Sequence, residues 1–584
     1  MEVTLIAIVG VASMVAVAAF SQRLGLAAPL SLVVVGIALS FVPGVPVVEI
    51  EPEWVLAGVL PPLLYSSAVN MPAQDFRRDI KAITGLAVLL VVVSTLGAGW
   101  LVHLLMPDIG WPTAFALGAI ISPTDAVAAT SVGRKLGLPR RLLTLLEGEG
   151  LVNDASALVL LRSAIAAMSG AVSLWGVAGK FLFSVLVAVA VGVVVGLVNV
   201  RVRALLDDTV LNTAISFVVP FVAYVPAEEL DASGVLAVVV TGVVTGHLSP
   251  KLLKARDRIG EAMNWRTLAF LLESAVFLLM GLGVKSLIDE VYAHEDGLGA
   301  GRVLLYGLAL SGLVIAARMV FVAPLVAMVR QDERRAAATK PLLERMQERL
   351  ALFDLSDRFT PSKKARIERR VSRTSADIEF RLNETLGRQG GVVLAWSGMR
   401  GAITVAAAQT LPEDTPHRPQ LILIAFVVAV TTLLLQGLSL PAVIRTVRIP
   451  GDDPKRLRTE YGQLITEMSQ AATRSLDGMA NTGTAAPEVI ERVRADSFIR
   501  PREPARSQPQ GAEPDHATLV AARTDYLRLR LVVIAAERDA LLAARTRGAY
   551  SSRTLTDAQD ALDLEEARLE QLSDRFADAQ QQDA

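Results

Sequence analysis

Apolar residues arrive in blocks of about 20 through the first 446 positions, separated by short polar stretches. A helix of that length crosses the hydrocarbon core of a bilayer. Thirteen blocks are present, at 3–20, 26–42, 54–70, 82–106, 112–133, 140–166, 173–200, 209–227, 232–247, 265–288, 302–328, 389–410 and 419–445. Backbone groups in lipid must bond within their own segment, so each block is expected to be helical. The first follows Met-Glu without a basic leader and reads as a span, not a cleaved signal peptide. The expected fold class is an all-α polytopic membrane protein with thirteen transmembrane helices.

The polar connections orient these spans. One set carries Arg23, then Arg77, Arg78 and Lys81, then Arg134, Lys135, Arg140 and Arg141, then Arg201 and Arg203, then Lys251, Lys254, Arg256 and Arg258. The alternate set is nearly free of basic residues and in places acidic: Glu49, Glu51 and Glu53, Glu229 and Asp231, Glu295 and Asp296. Basic loops stay in the cytoplasm. Thirteen crossings then place the amino terminus outside and the carboxyl terminus inside, with the basic loop 329–388 cytoplasmic.

The pattern changes near residue 447. Positions 1–446 read as the membrane domain and 447–584 as a charged, helical cytoplasmic tail. A stretch at 475–515 rich in Pro, Gly, Thr and Ser reads as a linker. Two helical stretches follow, 516–546 and 554–578, with Gly548 between them. Leu555, Leu562, Leu569 and Phe576 recur every seven residues, the spacing of a helical hairpin or coiled coil.

Composition narrows the functional classes. The chain is 52% hydrophobic with a mean hydropathy of +0.46, beyond the range of a soluble protein of this size. Its net charge of −1 gives no field for nucleic acid. Cysteine is absent, which excludes disulfides and thiol chemistry, and the five histidines are scattered. No nucleophile–base set or phosphate loop stands out, so neither an enzyme nor a cofactor is expected.

Ionisable groups inside spans are costly and concentrate where function is. Arg162, Lys180, Lys285 and His103 lie near helix ends, where snorkelling explains them. Six groups sit deeper: Asp125, Glu149, Asp154, Glu273, Arg318 and Arg400. Asp125 follows Ser122-Pro123-Thr124, and Pro123 disrupts a helix in mid-span. A carboxylate beside freed carbonyls suits a hard cation. The next block places Glu149 and Asn153 on one helical face with Asp154 adjacent. Arg318 requires a buried anion, and Glu149 is the expected structural partner. Arg400, between Gly398 and Gly401, marks a second break. One interrupted helix in each half is the pattern of an inverted-repeat transporter.

The stretches GAIISPTDAVAAT (118–130), LLEGEGLVNDASALVL (145–160) and WSGMRGAITVAAAQTLP (396–412) together resemble the monovalent cation:proton antiporter family, which takes in NhaP-type bacterial antiporters and sodium/proton exchangers. LPPLLYSSA (60–68), AYVPAEELDASGVLAVVVTG (223–242) and FLLESAVFLLMGL (270–282) extend the resemblance across the membrane part. It implies a homodimer in a bacterial plasma membrane, with a mobile six-helix core and two broken helices crossing at the site. It also implies that Asp154 carries either Na⁺ or H⁺, with Asn153, Thr124 and Asp125 supporting. Glu149–Arg318 then matches the family's buried salt bridge, and Arg400 its Gly-x-Arg-Gly position. Three departures bear on ion choice: Gly150 where many members have Ser, Ser66 where many have an acid, and Glu273 where many have Asn. Glu273 and Ser66 are therefore accessory candidates. The implied activity is electroneutral export of Na⁺, and of Li⁺, against H⁺. K⁺/H⁺ exchange is the nearest alternative, ahead of a cation channel or a sensor.

Overall fold

A computed structural model of the chain describes residues 2–43, 51–168, 170, 174–293, 299–352, 361–482, 486–496 and 516–582. Glu49, Glu295 and Asp296, cited above for orientation, lie outside the described residues. Among those described, the regular structure is helical and no strand occurs. The chain opens with α1 (Glu2–Leu24) and α2 (Ala28–Ser40). A π-helical stretch, Trp54–Val59, leads into α3 (Leu60–Asn70), followed by α4 (Ala73–Arg78) and α5 (Ile80–Thr84). A second, Gly85–Leu89, joins α5 to α6 (Leu90–Leu105). Then come α7 (Trp111–Ile121), α8 (Ala126–Lys135), α9 (Arg140–Met168), α10 (Leu174–Arg203), α11 (Thr209–Glu229), α12 (Gly234–Leu252), α13 (Ala255–Leu282) and α14 (Val284–Ala293). The remainder is α15 (Ala300–Leu352), α16 (Pro361–Asn383), α17 (Gly387–Trp396), α18 (Ala402–Gln409), α19 (Arg418–Val447), α20 (Pro454–Asn481), α21 (Pro487–Asp496), α22 (His516–Arg547) and α23 (Ser552–Gln582).

Among the described residues, nine helices are long and apolar enough to cross a membrane, and three shorter apolar helices accompany them. The block 389–410 falls outside both groups because its interruption leaves two short halves, α17 and α18. Two connecting stretches are partly helical. The first half of the loop 329–388 continues α15 as helix to Leu352, since its Ala-, Glu- and Arg-rich sequence favours helix. The stretch 475–515 is helical at its start, where α20 runs to Asn481, and again in α21. Residues 497–515 lie outside the described set.

The chain divides into two units. The first comprises Met1–Ser249, Glu261–Arg334 and Glu384–Gly451. Its helices approach through small residues, as expected where lipid removes most of the hydrophobic drive. At the crossing of α2 and α13, a Cβ on Gly36 would stand 2.5 Å from the Leu278 carbonyl oxygen, and one on Gly281 2.5 Å from that of Val33. Polar ties hold the same unit. Arg203, fully buried, donates to both oxygens of Glu261 at 3.0 and 2.6 Å and to Asn212 Oδ1 at 2.6 Å. Arg141 is bidentate to Asp79, at 2.8 and 3.0 Å, and reaches Glu333 at 3.1 Å. Arg141 of α9 and Arg203 of α10 are thus internal clamps.

The second unit comprises Pro250–Gly260, Arg335–Asn383 and Asp452–Ala584. Gly548 adopts φ +71° and turns α22 back into α23. Leu555, Leu562 and Leu569 are buried against Leu464, Met468, Ile534 and Leu541; the Phe576 side chain lies outside the described set. Glu537 is buried in this core. Arg530 approaches it to 3.8 Å but gives its hydrogen bonds to Glu565, at 2.6 and 3.0 Å. Burial first, and the Glu565 charge after it, push the Glu537 carboxyl from 4.5 up to about 7, against the pull of Arg530.

A carboxyl that holds its proton more tightly when folded stabilises the fold at acid pH, and that stability fades as pH climbs from 4.5 toward about 7. Glu537→Gln should therefore raise the melting temperature of the tail above neutrality and flatten its dependence on pH. Thermal unfolding of both proteins across that range checks this.

Candidate functional site

The first interruption follows from Pro123. Helix α7 ends at Ile121, Ser122–Asp125 are unwound, and α8 starts at Ala126. Asp125 caps α8, its Oδ1 accepting the Val127 N–H at 2.8 Å, which satisfies one of the donors a helix start leaves open. The second interruption is Ser397–Gly401, between α17 and α18.

The two unwound segments satisfy each other. The Asp125 N–H donates to the Met399 carbonyl at 2.7 Å. Arg400 Nε donates to the Ile121 carbonyl at 3.1 Å, and Nη1 to that of Gly398. The Arg400 N–H donates to Thr432 Oγ1 at 3.2 Å, which brings in α19. Arg400 therefore serves open carbonyls at the end of one half-helix and inside the other break. The two glycines leave room for charged neighbours. A Cβ on Gly398 would stand 2.3 Å from Arg318 Cδ, and one on Gly401 2.4 Å from Asp125 Oδ2.

Helix α9 presents Glu149, Asn153 and Asp154, all buried. Asn153 Nδ2 donates to the Thr124 carbonyl at 2.8 Å and to its hydroxyl at 3.0 Å. Thr124 Oγ1 donates to Glu149 Oε1 at 2.7 Å. Arg318 donates to both Glu149 oxygens, Nη2 to Oε2 at 2.8 Å, and to the Leu394 carbonyl at 3.1 Å. A continuous hydrogen-bonded chain thus joins α9, both breaks and α15.

Acceptors remain beside this chain. Asp154 lies within electrostatic reach of Asp125, and no protein hydrogen bond to its carboxylate occurs among the described residues. Among the described residues, Asn153 Oδ1 is buried without a hydrogen-bond partner. Oxygen acceptors of low total charge, partly freed from backbone pairing, are the donors a hard monovalent cation prefers. A carboxylate in the same place also binds a proton.

The other candidates are placed differently. Glu273, half-buried on α13, is within electrostatic reach of Asp125 and Arg134. Ser66 is buried on α3 and is not hydrogen-bonded to the carboxylates. Gly150 faces Ala126, whose Cβ would lie 2.9 Å from a Cβ at 150, so α8 occupies the space a serine would need. The sequence reading missed Thr432 and Gln436 of α19. Thr432 receives the Arg400 N–H. Gln436, one turn on, is fully buried with neither amide atom hydrogen-bonded among the described residues. A Gln in the middle of an apolar span was the available signal.

Two unwound helices meeting beside buried carboxylates, in a multi-pass membrane protein, define an ion-handling transporter. Residues 9–446 match the family model described as sodium/hydrogen exchanger, transmembrane, and the chain belongs to that family. An uncharacterized Na⁺/H⁺ exchanger of Mycobacterium tuberculosis is 29% identical over 568 residues, covering 96% of this chain and 95% of its own. The low-affinity Na⁺/H⁺ antiporter NhaS1 of Synechocystis is 29% identical, over 75% of this chain and 72% of its own. A sodium, potassium, lithium and rubidium/H⁺ antiporter of Bacillus pumilus is 28% identical, over 71% and 57%. In fold, the chain is similar to the sodium proton antiporter MjNhaP1 of Methanocaldococcus jannaschii, with a TM-score of 0.53 and 15% identity over 76% of this chain and 99% of that one.

Removing one partner of a buried ion pair strands the other charge, at a cost of about 3–5 kcal/mol. Arg318→Met should thus lower the stability of the purified protein by that order, in thermal unfolding in detergent. Gly401→Ala forces a methyl against Asp125, and the expected outcome is a folded protein whose exchange rate falls at least about tenfold, a barrier change near 1.4 kcal/mol. Vesicle exchange assays check the latter.

Proposed function

We propose that this protein exports cytoplasmic Na⁺, and Li⁺, in exchange for external H⁺, through a single site at Asp154 that holds one or the other. The observation that carries this reading is a buried carboxylate without a hydrogen bond among the described residues, set beside two unwound segments that already satisfy one another. Asn153 orients the first break through Thr124, and Asp125 supports the bound cation. Glu149 and Arg318 neutralise each other and act structurally, and Arg400 stands in for the missing helix turns. Glu273 adds negative field and Ser66 an accessory oxygen.

Facing inward, the site trades a proton on Asp154 for Na⁺; facing outward, it trades Na⁺ for a proton. Only a loaded, neutralised carboxylate crosses, because moving an unpaired charge through an apolar medium is costly. That rule couples the two fluxes and makes the exchange electroneutral. The setting is a bacterial inner membrane, with thirteen spans in inverted repeats, the amino terminus outside, the tail inside, and two copies in a homodimer. Residues 1–446 form the transporting domain and 447–584 its regulatory tail.

K⁺/H⁺ exchange on the same scaffold is the second reading, favoured by the Bacillus pumilus relative, whose name includes potassium and rubidium. Inside-out vesicles holding a pH gradient separate the two: Na⁺ and Li⁺ should dissipate it and K⁺ should not. Asp154→Asn keeps the shape and removes the charge, and should abolish the cation-induced signal. Exchange at the wild-type rate in that variant overturns the mechanism.

A further inference from the structure

Arg162 stands two turns beyond Asp154 on α9, about 12 Å along the axis of the same unbroken helix. In the proposed topology this end of α9 faces outside. The Arg162 side chain is 48% exposed, as snorkelling predicts. Its Nη2 also donates to Glu228 Oε2, in the last turn of α11, at 2.6 Å. The other Glu228 oxygen, Oε1, accepts the N–H of Gly234, the first residue of α12, at 2.9 Å. Glu228 thus belongs to the corner between α11 and α12. Asp231, at φ +54°, closes that corner, with the Ala232 N–H donating to the Ala227 carbonyl at 2.9 Å. A Cβ at position 234 would stand 2.9 Å from Glu228 Oε1, so the glycine keeps room for the carboxylate.

The two sides of this ion pair are held differently. Helix α12 is fixed backbone to backbone. A Cβ on its Gly246 would stand 2.2 Å from the Val69 carbonyl oxygen of α3, and one on Gly192 of α10 would stand 2.6 Å from that of Ala237. Helix α9 meets this group through side chains. Leu151 and Ala155 share an apolar cluster with Leu64 of α3, Val219 and Ala223 of α11 and Val235 of α12. Apolar contact is non-directional, so one such surface can shift along the other without breaking a bond. The Arg162–Glu228 pair is directional and fixes the register of the two sides at one end. A pair this exposed biases an equilibrium by only about fivefold. That suits a contact which opens and closes in every cycle, since a much stronger tie would trap one state.

We propose that Arg162 and Glu228 form an outer lock on the helix that carries the exchange site. Joined, they hold α9 against the corner of α11 and α12, with Asp154 shut off from outside. Parted, they let α9 shift and open Asp154 to that side. The inference rests on the exchange reading above and adds to it the residues that close one of its two states.

The test uses full-length protein in oriented proteoliposomes, with Na⁺ as the probe ion. Arg162→Gln and Glu228→Gln each remove the ion pair, and the second keeps an oxygen for the Gly234 N–H. Apparent affinity on each face scales with the share of molecules open to that face. Each variant should therefore lower the half-saturating Na⁺ concentration at the outer face about twofold to fivefold, and raise it by less at the inner face. The double variant should match the singles, because all three break one contact. Unchanged outer affinity, shifts in the same direction at both faces, or additive shifts overturn the proposal. A covalent tie tests the motion directly. The chain has no native cysteine, so Arg162→Cys with Glu228→Cys leaves two thiols for a short bis-methanethiosulfonate. Joining them should stop Na⁺-driven proton flux, and a reductant should restore it. Flux that continues in the joined protein, or thiols that do not join, overturns the lock. Wild-type protein without Na⁺-driven proton flux would instead overturn the exchange reading.

Discussion

Unwound backbone inside a membrane has to find hydrogen bonds without water, and this protein solves that by making its two breaks partners. The Asp125 N–H and the Met399 carbonyl close one side of the crossing, and Arg400 with the Ile121 carbonyl closes the other. Neither break is stable alone in an apolar setting, where each lost hydrogen bond costs several kcal/mol. Everything at the site depends on this exchange. It leaves Asp125 free to cap α8 and frees Arg400 from needing a carboxylate. It also spares Asp154 from any structural duty.

A division of labour among the charges follows. Glu149 is saturated by Arg318 and Thr124, so it contributes rigidity. Asp125 is half committed, through Val127. Asp154 is uncommitted by hydrogen bonds among the described residues. The gradient from fully bonded to unbonded runs across a few residues of α9 and α8, and a reversible ligand competes best at its unbonded end. The second unit repeats the logic. There Arg530 commits to Glu565 and leaves Glu537 to hold a proton near neutrality.

Much of this was legible in the sequence because a membrane makes the code strict. Long apolar blocks can only be helices, a proline or a pair of glycines in mid-block marks an interruption, and deep charges are too costly to be incidental. Those signals locate Asp125, Asp154 and Arg400 without coordinates. Long-range pairing was harder to read. Arg141 and Arg203 look like ordinary loop cations, yet the fold buries them against Asp79 and Glu261, because their partners lie 62 and 58 positions away. Thr432 was missed for the same reason, since its partner Arg400 lies 32 positions away, and Gln436 shows only as a polar residue in an apolar span. The helical start of 475–515 was not legible because small polar residues are neutral toward helix, and packing against α22 decided the outcome.

The contact between Gly150 and Ala126 has an evolutionary side. With 2.9 Å separating the Ala126 methyl from any added carbon at 150, a hydroxyl-bearing residue fits only after position 126 has shrunk or α8 has moved. The two positions are therefore coupled: the residue that position 150 tolerates depends on the side chain at 126 and on where α8 starts.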